Sequence, residues 1–438
     1  MDRVSSLPEE LLCHVLSFLT TKEAALTSIL SKRWRYLFAF VPNLKFDNSV
    51  FLHDPEESNR EKKKGIRQSF VDFVDRVLAL QGDSIIEKFF LKCKLVLISQ
   101  LVNQWICNVL RRGVLDMDLS IDLGQERCMF VETFMSTTVV ELKLGSGCRI
   151  SFRPGLISLP MLKTLTLVDS GLSDSGQLQM LLSACPALEA LELTNVRWCY
   201  ADATVSSASL KTLTIGSANS LHTLSFDTPN LLCLNHSALV REDYPLVNLE
   251  KLVEAHIKLD RGISMYDNVP KLLSGICSVQ KLYLSPGTLE VLGLCCQAMP
   301  VFNNLTFLDI ESNMNILWKA MPVLLKNCPH LETLVMKGGL VHCITDYCGD
   351  ACTCKSRKEK GRSLTSCPVK RLEIREFQGR SIEMDMIKHF LDYFPCLKDM
   401  EIYVEDGRPE HLAPITFDSP YNHLSGRNVK IKVHDSLT

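Results

Sequence analysis

Leu162-Lys163-Thr164-Leu165-Thr166-Leu167 has the form L-x-x-L-x-L, and the form returns as Leu188-Glu189-Ala190-Leu191-Glu192-Leu193 and Leu210-Lys211-Thr212-Leu213-Thr214-Ile215. Downstream, Val279-Gln280-Lys281-Leu282-Tyr283-Leu284, Leu305-Thr306-Phe307-Leu308-Asp309-Ile310 and Leu331-Glu332-Thr333-Leu334-Val335-Met336 repeat it. Weaker copies start at Val139, Leu231 and Leu249. First positions at 162, 188, 210 and 231 are 26, 22 and 21 residues apart, and those at 305 and 331 are 26 apart. A repeat of this length means a stack of like units rather than several unrelated domains. In a short strand alternate side chains face opposite sides. The second and third apolar residues of the form therefore point into a core, and the first caps the turn before the strand. One unit cannot bury that face alone, whereas stacked neighbours make a continuous spine.

The spacing lies in the leucine-rich-repeat range of about 20–29 residues. Between strands, helical text such as Gln177-Leu178-Gln179-Met180-Leu181-Leu182 covers the outer face. Cys185-Pro186, Cys328-Pro329 and Cys367-Pro368 each sit just before a repeat's first apolar residue. Proline there cannot continue a helix and sets an extended approach to the strand. After a polar, cysteine-containing loop at 342–362 come Val369-Lys370-Arg371-Leu372-Glu373-Ile374 and Leu397-Lys398-Asp399-Met400-Glu401-Ile402. Between them Met386, Ile387, Phe390, Leu391 and Phe394 mark one face of a helix, so a strand-helix-strand unit closes the array.

Upstream of the repeats the text is helical. Thr20-Thr21-Lys22-Glu23 has capping-box form, and Pro8 with Glu9 and Glu10 suits the first turn of a helix. Leu11, Leu12, Val15, Leu16 and Leu19 form an apolar stripe of helical period. Residues 56–64 are charged and read as a solvated loop; Phe70, Phe73, Val74, Val77 and Leu78 then mark a helix that Gly82 ends.

The chain has 438 residues, 48 Lys+Arg against 50 Asp+Glu and 18 cysteines. The near-zero balance argues against nucleic acid or an anionic membrane as the partner. Residues 89–110, the most apolar long stretch, are interrupted by Lys92, Lys94, Gln100 and Gln104 and cannot span a bilayer. The start, Met1-Asp2-Arg3-Val4-Ser5-Ser6, leads into no apolar signal core, so the expectation is an intracellular, reducing setting, cytoplasm or nucleus, with free thiols.

Residues 7–19 (Leu7-Pro8-Glu9-Glu10-Leu11-Leu12-Cys13-His14-Val15-Leu16-Ser17-Phe18-Leu19) and 27–38 (ending Leu30-Ser31-Lys32-Arg33-Trp34-Arg35-Tyr36-Leu37-Phe38) closely resemble an F-box. The block from Val369 to Ile402, with Phe377-Gln378-Gly379, is similar to the FBD module that follows such repeats in the plant F-box/FBD/leucine-rich-repeat family. The resemblance implies an α/β architecture. A three-helix F-box (1–47) leads into a helical linker and cap (48–135) and a curved leucine-rich-repeat solenoid (136–355), closed by a C-terminal FBD strand-helix-strand unit (356–438). It also implies a non-catalytic, substrate-recruiting subunit of an SCF-type (Skp–cullin–F-box) ubiquitin ligase. On that analogy Leu7, Pro8, Leu11, Val15, Leu16, Ser31, Trp34 and Leu37 dock a Skp-type adaptor, and through it a cullin. A module of about 45 residues with that much apolar surface cannot bury it all internally, which independently marks a binding face. The alternative is that part of the set, Leu12 and Leu19 especially, only packs helix on helix. At the level of the whole chain, the alternative is a repeat scaffold acting outside a ligase.

Alternate strand positions face the concave side of a curved array, and among them Tyr283, Phe307, Asp309 and Glu192 are the expected contacts of an unknown target protein. His256 and His330 are read as strand-border residues. The loop carrying His342, Cys343, Cys348, Cys352 and Cys354 has enough ligands for zinc, but its spacings match no paired C-x2-C knuckle. It reads as a polar loop with reduced thiols, and neither a metal nor another cofactor is expected. The basic run 355–362 reads as a solvated loop, with an anionic-partner patch as its alternative. No G-x-x-x-x-G-K-S/T, G-x-G-x-x-G, G-x-S-x-G or H-E-x-x-H occurs.

Overall fold

The structure, a computed structural model, describes residues 6–48, 60–93, 99–121, 128–130, 134–145, 149–151, 153–172, 176–198, 201–216, 221–262, 266–295, 299–312, 320–338, 362–404 and 430–434. The cysteine-containing loop at 342–354 and the basic run, except for Arg362 at its end, lie outside them. The chain forms two compact units, Met1–Ala201 with Ala218–Ser220, and Asp202–Ser217 with Leu221–Thr438.

In the first unit, strands Asn43–Asp47, Lys88–Cys93, Asp116–Ile121, Glu141–Gly145, Thr164–Val168 and Ala190–Thr194 pair in that order, every pair parallel. Parallel order follows from the repeat, since each unit must cross back before its next strand begins. Leu165 pairs with Leu142 on one side and Leu191 on the other, and all three are buried. Three of these strands precede residue 136: Asn43–Asp47 ends the segment read as the F-box, and the other two lie inside the segment read as a helical linker and cap. Their text is the repeat form with other apolar residues: Val41-x-x-Leu44-x-Phe46, Ile86-x-x-Phe89-x-Leu91 and Val114-x-x-Met117-x-Leu119, all buried. The helices of that segment, Arg60–Leu80 and Ser99–Arg111, are joined by a 2.6 Å hydrogen bond from Trp105 Nε1 to Asp75 Oδ1. Residues 60–64 of the charged run form the start of the first helix rather than loop.

The N-terminal module of this unit contains helices Glu9–Leu16 and Thr21–Leu26, followed by two short 3-10 turns, Thr27–Ile29 and Leu37–Phe40. The capping box forms: Thr20 N–H donates to Glu23 Oε2 at 2.9 Å and Glu23 N–H to Thr20 Oγ1 at 3.3 Å. Lys45 N–H donates to Thr21 Oγ1 at 2.7 Å, tying the module to the first strand.

In the second unit the parallel ladder runs Thr212–Gly216, Cys233–Leu239, Glu254–Asp260, Lys281–Leu284, Phe307–Glu311, Thr333–Lys337, Arg371–Phe377, Asp399–Val404 and Lys430–His434. Leu234, Ala255, Leu282, Leu308, Leu334, Leu372 and Met400 share one register row and are buried. Helix Ser381–Tyr393 lies between the strands Arg371–Phe377 and Asp399–Val404 and buries Met386, Ile387, Phe390 and Leu391. One core position is unusual. In the copy Leu231-x-x-Leu234-x-His236 a histidine fills the third apolar place, fully buried with both ring nitrogens unpartnered. Burial pulls its pKa down to about 3, with the Arg241 charge adding to the shift.

Candidate functional site

Helix Glu9–Leu16 separates its apolar residues onto two sides. Leu12 and Leu16, four apart, are buried with Ala24, Trp34, Leu37 and Phe38. Leu11 and Val15, also four apart, are 49% and 46% exposed, and Phe18, three further on, is 77% exposed. Leu26, Ile29 and Leu30 are exposed as well. Arg33 Nη2 donates to the Leu7 carbonyl at 2.6 Å, pinning the start of the module to its later segment. The result is a small core beneath a wide apolar surface, the arrangement that marks a protein-docking patch.

The eight residues expected to dock an adaptor divide accordingly. Pro8, Leu11, Val15 and Ser31 are exposed and Leu7 is half-buried, whereas Leu16, Trp34 and Leu37 lie in the module's core. The last three therefore shape the patch from beneath. Phe18, Leu26, Ile29 and Leu30 belong to the exposed surface and were not among the expected contacts. The step of seven from Leu11 to Phe18 carries the signal for one of them.

In the second unit, alternate strand positions expose a second surface. The His256 and Tyr283 rings, register neighbours, stack at 4.0 Å with planes 4° apart, and Tyr283 meets Phe307 at 5.5 Å. His256 is the third residue of its strand, not a border residue. His256 Nε2 and Glu254 Oε1 are 2.8 Å apart, and this hydrogen bond, with Lys281 nearby, holds the Glu254 carboxyl below its usual range. Partial burial, with the Glu254 and Asp309 charges, pushes the Tyr283 phenol up. Asp309 differs from expectation. It is 4% exposed, its carboxylate lies 2.8 Å from Lys337 Nζ, and that pairing occupies it. Glu192, in the first unit, is half-buried and accepts a hydrogen bond from Thr194 Oγ1 at 3.1 Å.

Comparison with known proteins adds family to geometry. Residues 4–46 match the F-box domain, and residues 102–247 match the family described as FBD-associated F-box protein At5g56370, LRR repeats. A relative from Arabidopsis thaliana named as an F-box/LRR-repeat protein (At3g58880) is 69% identical over 456 aligned positions, covering all of both chains. The chain belongs to the F-box/LRR-repeat family. F-box protein At3g59000 and F-box/LRR-repeat protein At5g38396, from the same plant, are 54% and 50% identical. They cover 95% and 99% of this chain, and 90% and 99% of their own lengths are covered in turn. F-box domains typically bind Skp1-type adaptors, so the apolar patch of the N-terminal module and the matched domain coincide. Among the described residues, no helix is long and apolar enough to cross a membrane.

Proposed function

We propose that this F-box/LRR-repeat chain is the non-catalytic, substrate-recruiting subunit of an SCF-type ubiquitin ligase, working in cytoplasm or nucleus. The observation that carries the reading is the exposed apolar patch around Leu11 and Val15 on a module whose own core, Leu12, Leu16, Trp34 and Leu37, is complete without it. Leu7, Pro8, Leu11, Val15 and Ser31 meet the Skp-type adaptor, and the adaptor links the chain to a cullin. The aromatic row His256, Tyr283 and Phe307, with Glu192 in the first unit as a further contact, receives the target protein. Large, half-exposed rings held against one another, His256 stacked on Tyr283 and Phe307 tilted against it, are favoured interface anchors because little side-chain entropy is lost on binding. Such a subunit transfers nothing itself. It raises the effective concentration of its target near the charged ubiquitin carrier.

The test is capture of a purified Skp-type adaptor by the full chain. Binding at micromolar protein, lost in Leu7→Ala/Pro8→Ala with the fold intact by circular dichroism, supports the reading. No capture by the wild-type chain refutes it.

A further inference from the structure

Cys233, Glu254 and His256 stand together on the exposed side of the second unit's ladder, and their ligand atoms all lie within 4.8 Å of one another. The topology makes this set. Glu254 and His256 are two apart on one strand and therefore share a face, while Cys233 on the neighbouring strand is the register partner of Glu254. We propose that these three side chains form a zinc-class transition-metal site with one coordination position left open. This goes beyond the recruiting role and does not depend on it.

Thiolate, imidazole and carboxylate are the three donor types zinc takes, and three protein ligands with an open fourth position is one of its recurrent arrangements. Bonds of about 2.0–2.3 Å put neighbouring ligand atoms roughly 3.3–3.8 Å apart around a tetrahedral ion. Ligand atoms now within 4.8 Å of one another would draw to that spacing, and the 2.8 Å His256–Glu254 contact would widen to it. The His256 ring is held in place by its stack on Tyr283, so the imidazole is pre-positioned. Without a cation Cys233 stays a protonated thiol, because burial and the adjacent Glu254 charge both disfavour the thiolate and raise its pKa. On binding, the thiol proton passes to solvent as the metal–sulfur bond forms. Lys281 Nζ, 3.6 Å from Glu254 Oε2, is the competing cation, so its removal strengthens metal binding.

The test titrates the full chain with Co(II) and Zn(II) in a background carrying Cys343→Ser, Cys348→Ser, Cys352→Ser and Cys354→Ser, which removes the sequence's other thiol cluster. One equivalent of Co(II) with near-ultraviolet sulfur-to-metal absorption is expected, displaced by Zn(II). Cys233→Ser is expected to remove the absorption, and Cys277→Ser, another half-buried thiol, to leave it unchanged. His256→Gln is expected to weaken binding at least about 10-fold, the low end of what loss of even an outer-shell partner costs. Circular dichroism confirms that each variant is folded. No bound metal, or the same stoichiometry and absorption in folded Cys233→Ser, overturns the proposal.

Discussion

Leu11 and Leu12 are chemically identical neighbours on one helix, and the structure assigns them opposite duties. Leu11→Ala removes three carbon atoms from a side chain that is 49% exposed and Val15→Ala removes two from one that is 46% exposed. At about 0.8 kcal/mol per buried methylene, docking loses about 1.2 and about 0.7 kcal/mol, counting only the area still open to a partner. The double variant should bind a Skp-type adaptor about 25-fold more weakly, from the conversion of about 1.4 kcal/mol to a factor of ten. Neither change opens a cavity in the module, so its stability should move by about 0.5 kcal/mol or less, as for an ordinary surface substitution. Leu12 is fully buried, and Leu12→Ala should instead cost about 2–5 kcal/mol of stability by creating a void. Isothermal titration calorimetry with the adaptor and urea unfolding of each variant separate the two effects. If Leu11→Ala/Val15→Ala binds like wild type, or if Leu12→Ala unfolds like wild type, the division of the helix into a core side and a docking side is wrong.

His236, held near pKa 3 in the fold against about 6.5 in an unfolded chain, binds its proton more readily when unfolded. Its contribution is therefore intact above pH 6.5 and lost as pH falls from there toward 3. The His236 share of stability should fall by about 2 kcal/mol between pH 7 and pH 5, and His236→Leu should make the slope of urea midpoints across that range shallower than in wild type. Tyr283→Ala should weaken target capture by about 2 kcal/mol if the ring is an anchor, read by quantitative affinity capture from extracts in which the F-box is disabled; unchanged capture removes Tyr283 from the target surface. Gly338 has φ +82°, and a Cβ there would sit 1.9 Å from the Ser312 carbonyl oxygen. Gly338→Ala should lower the melting temperature by about 2 °C or more, in step with a cost above about 1 kcal/mol, and a melting temperature equal to wild type contradicts the close approach.

The repeat was legible wherever leucine marked it. Leu165 and Leu191 in the first unit, and Leu213, Leu282, Leu308 and Leu334 in the second, are all buried strand residues. The strands at Asn43–Asp47, Lys88–Cys93 and Asp116–Ile121 were passed over: each keeps one leucine (Leu44, Leu91 and Leu119), with Val, Ile, Phe and Met in the other places. Periodicity located the apolar stripe of the N-terminal module but not its sides. Which of Leu11 and Leu12 turns inward depends on where Trp34 and Leu37 pack, more than twenty residues away. Asp309 was legible as a position on the exposed face. Its burial depends on Lys337, which the fold brings over from the next strand. The Cys233, Glu254 and His256 cluster has no linear spacing to betray it, because the strand register alone makes 233 and 254 neighbours.

Cys185, Cys328 and Cys367 each occupy the turn ahead of a repeat's strand, and all three are buried. Burial pushes the Cys185 and Cys367 thiols up to about 12 and raises Cys328 as well, so none offers a thiolate to an alkylating reagent while its repeat is closed. Cys396, by contrast, is exposed in the native chain. The molecule thus carries its own set of local clocks. Under pulsed alkylation read by peptide mass, Cys396 labels at once, and each buried thiol labels only as often as its own repeat opens. The order in which the three are modified would record which of these repeats opens first.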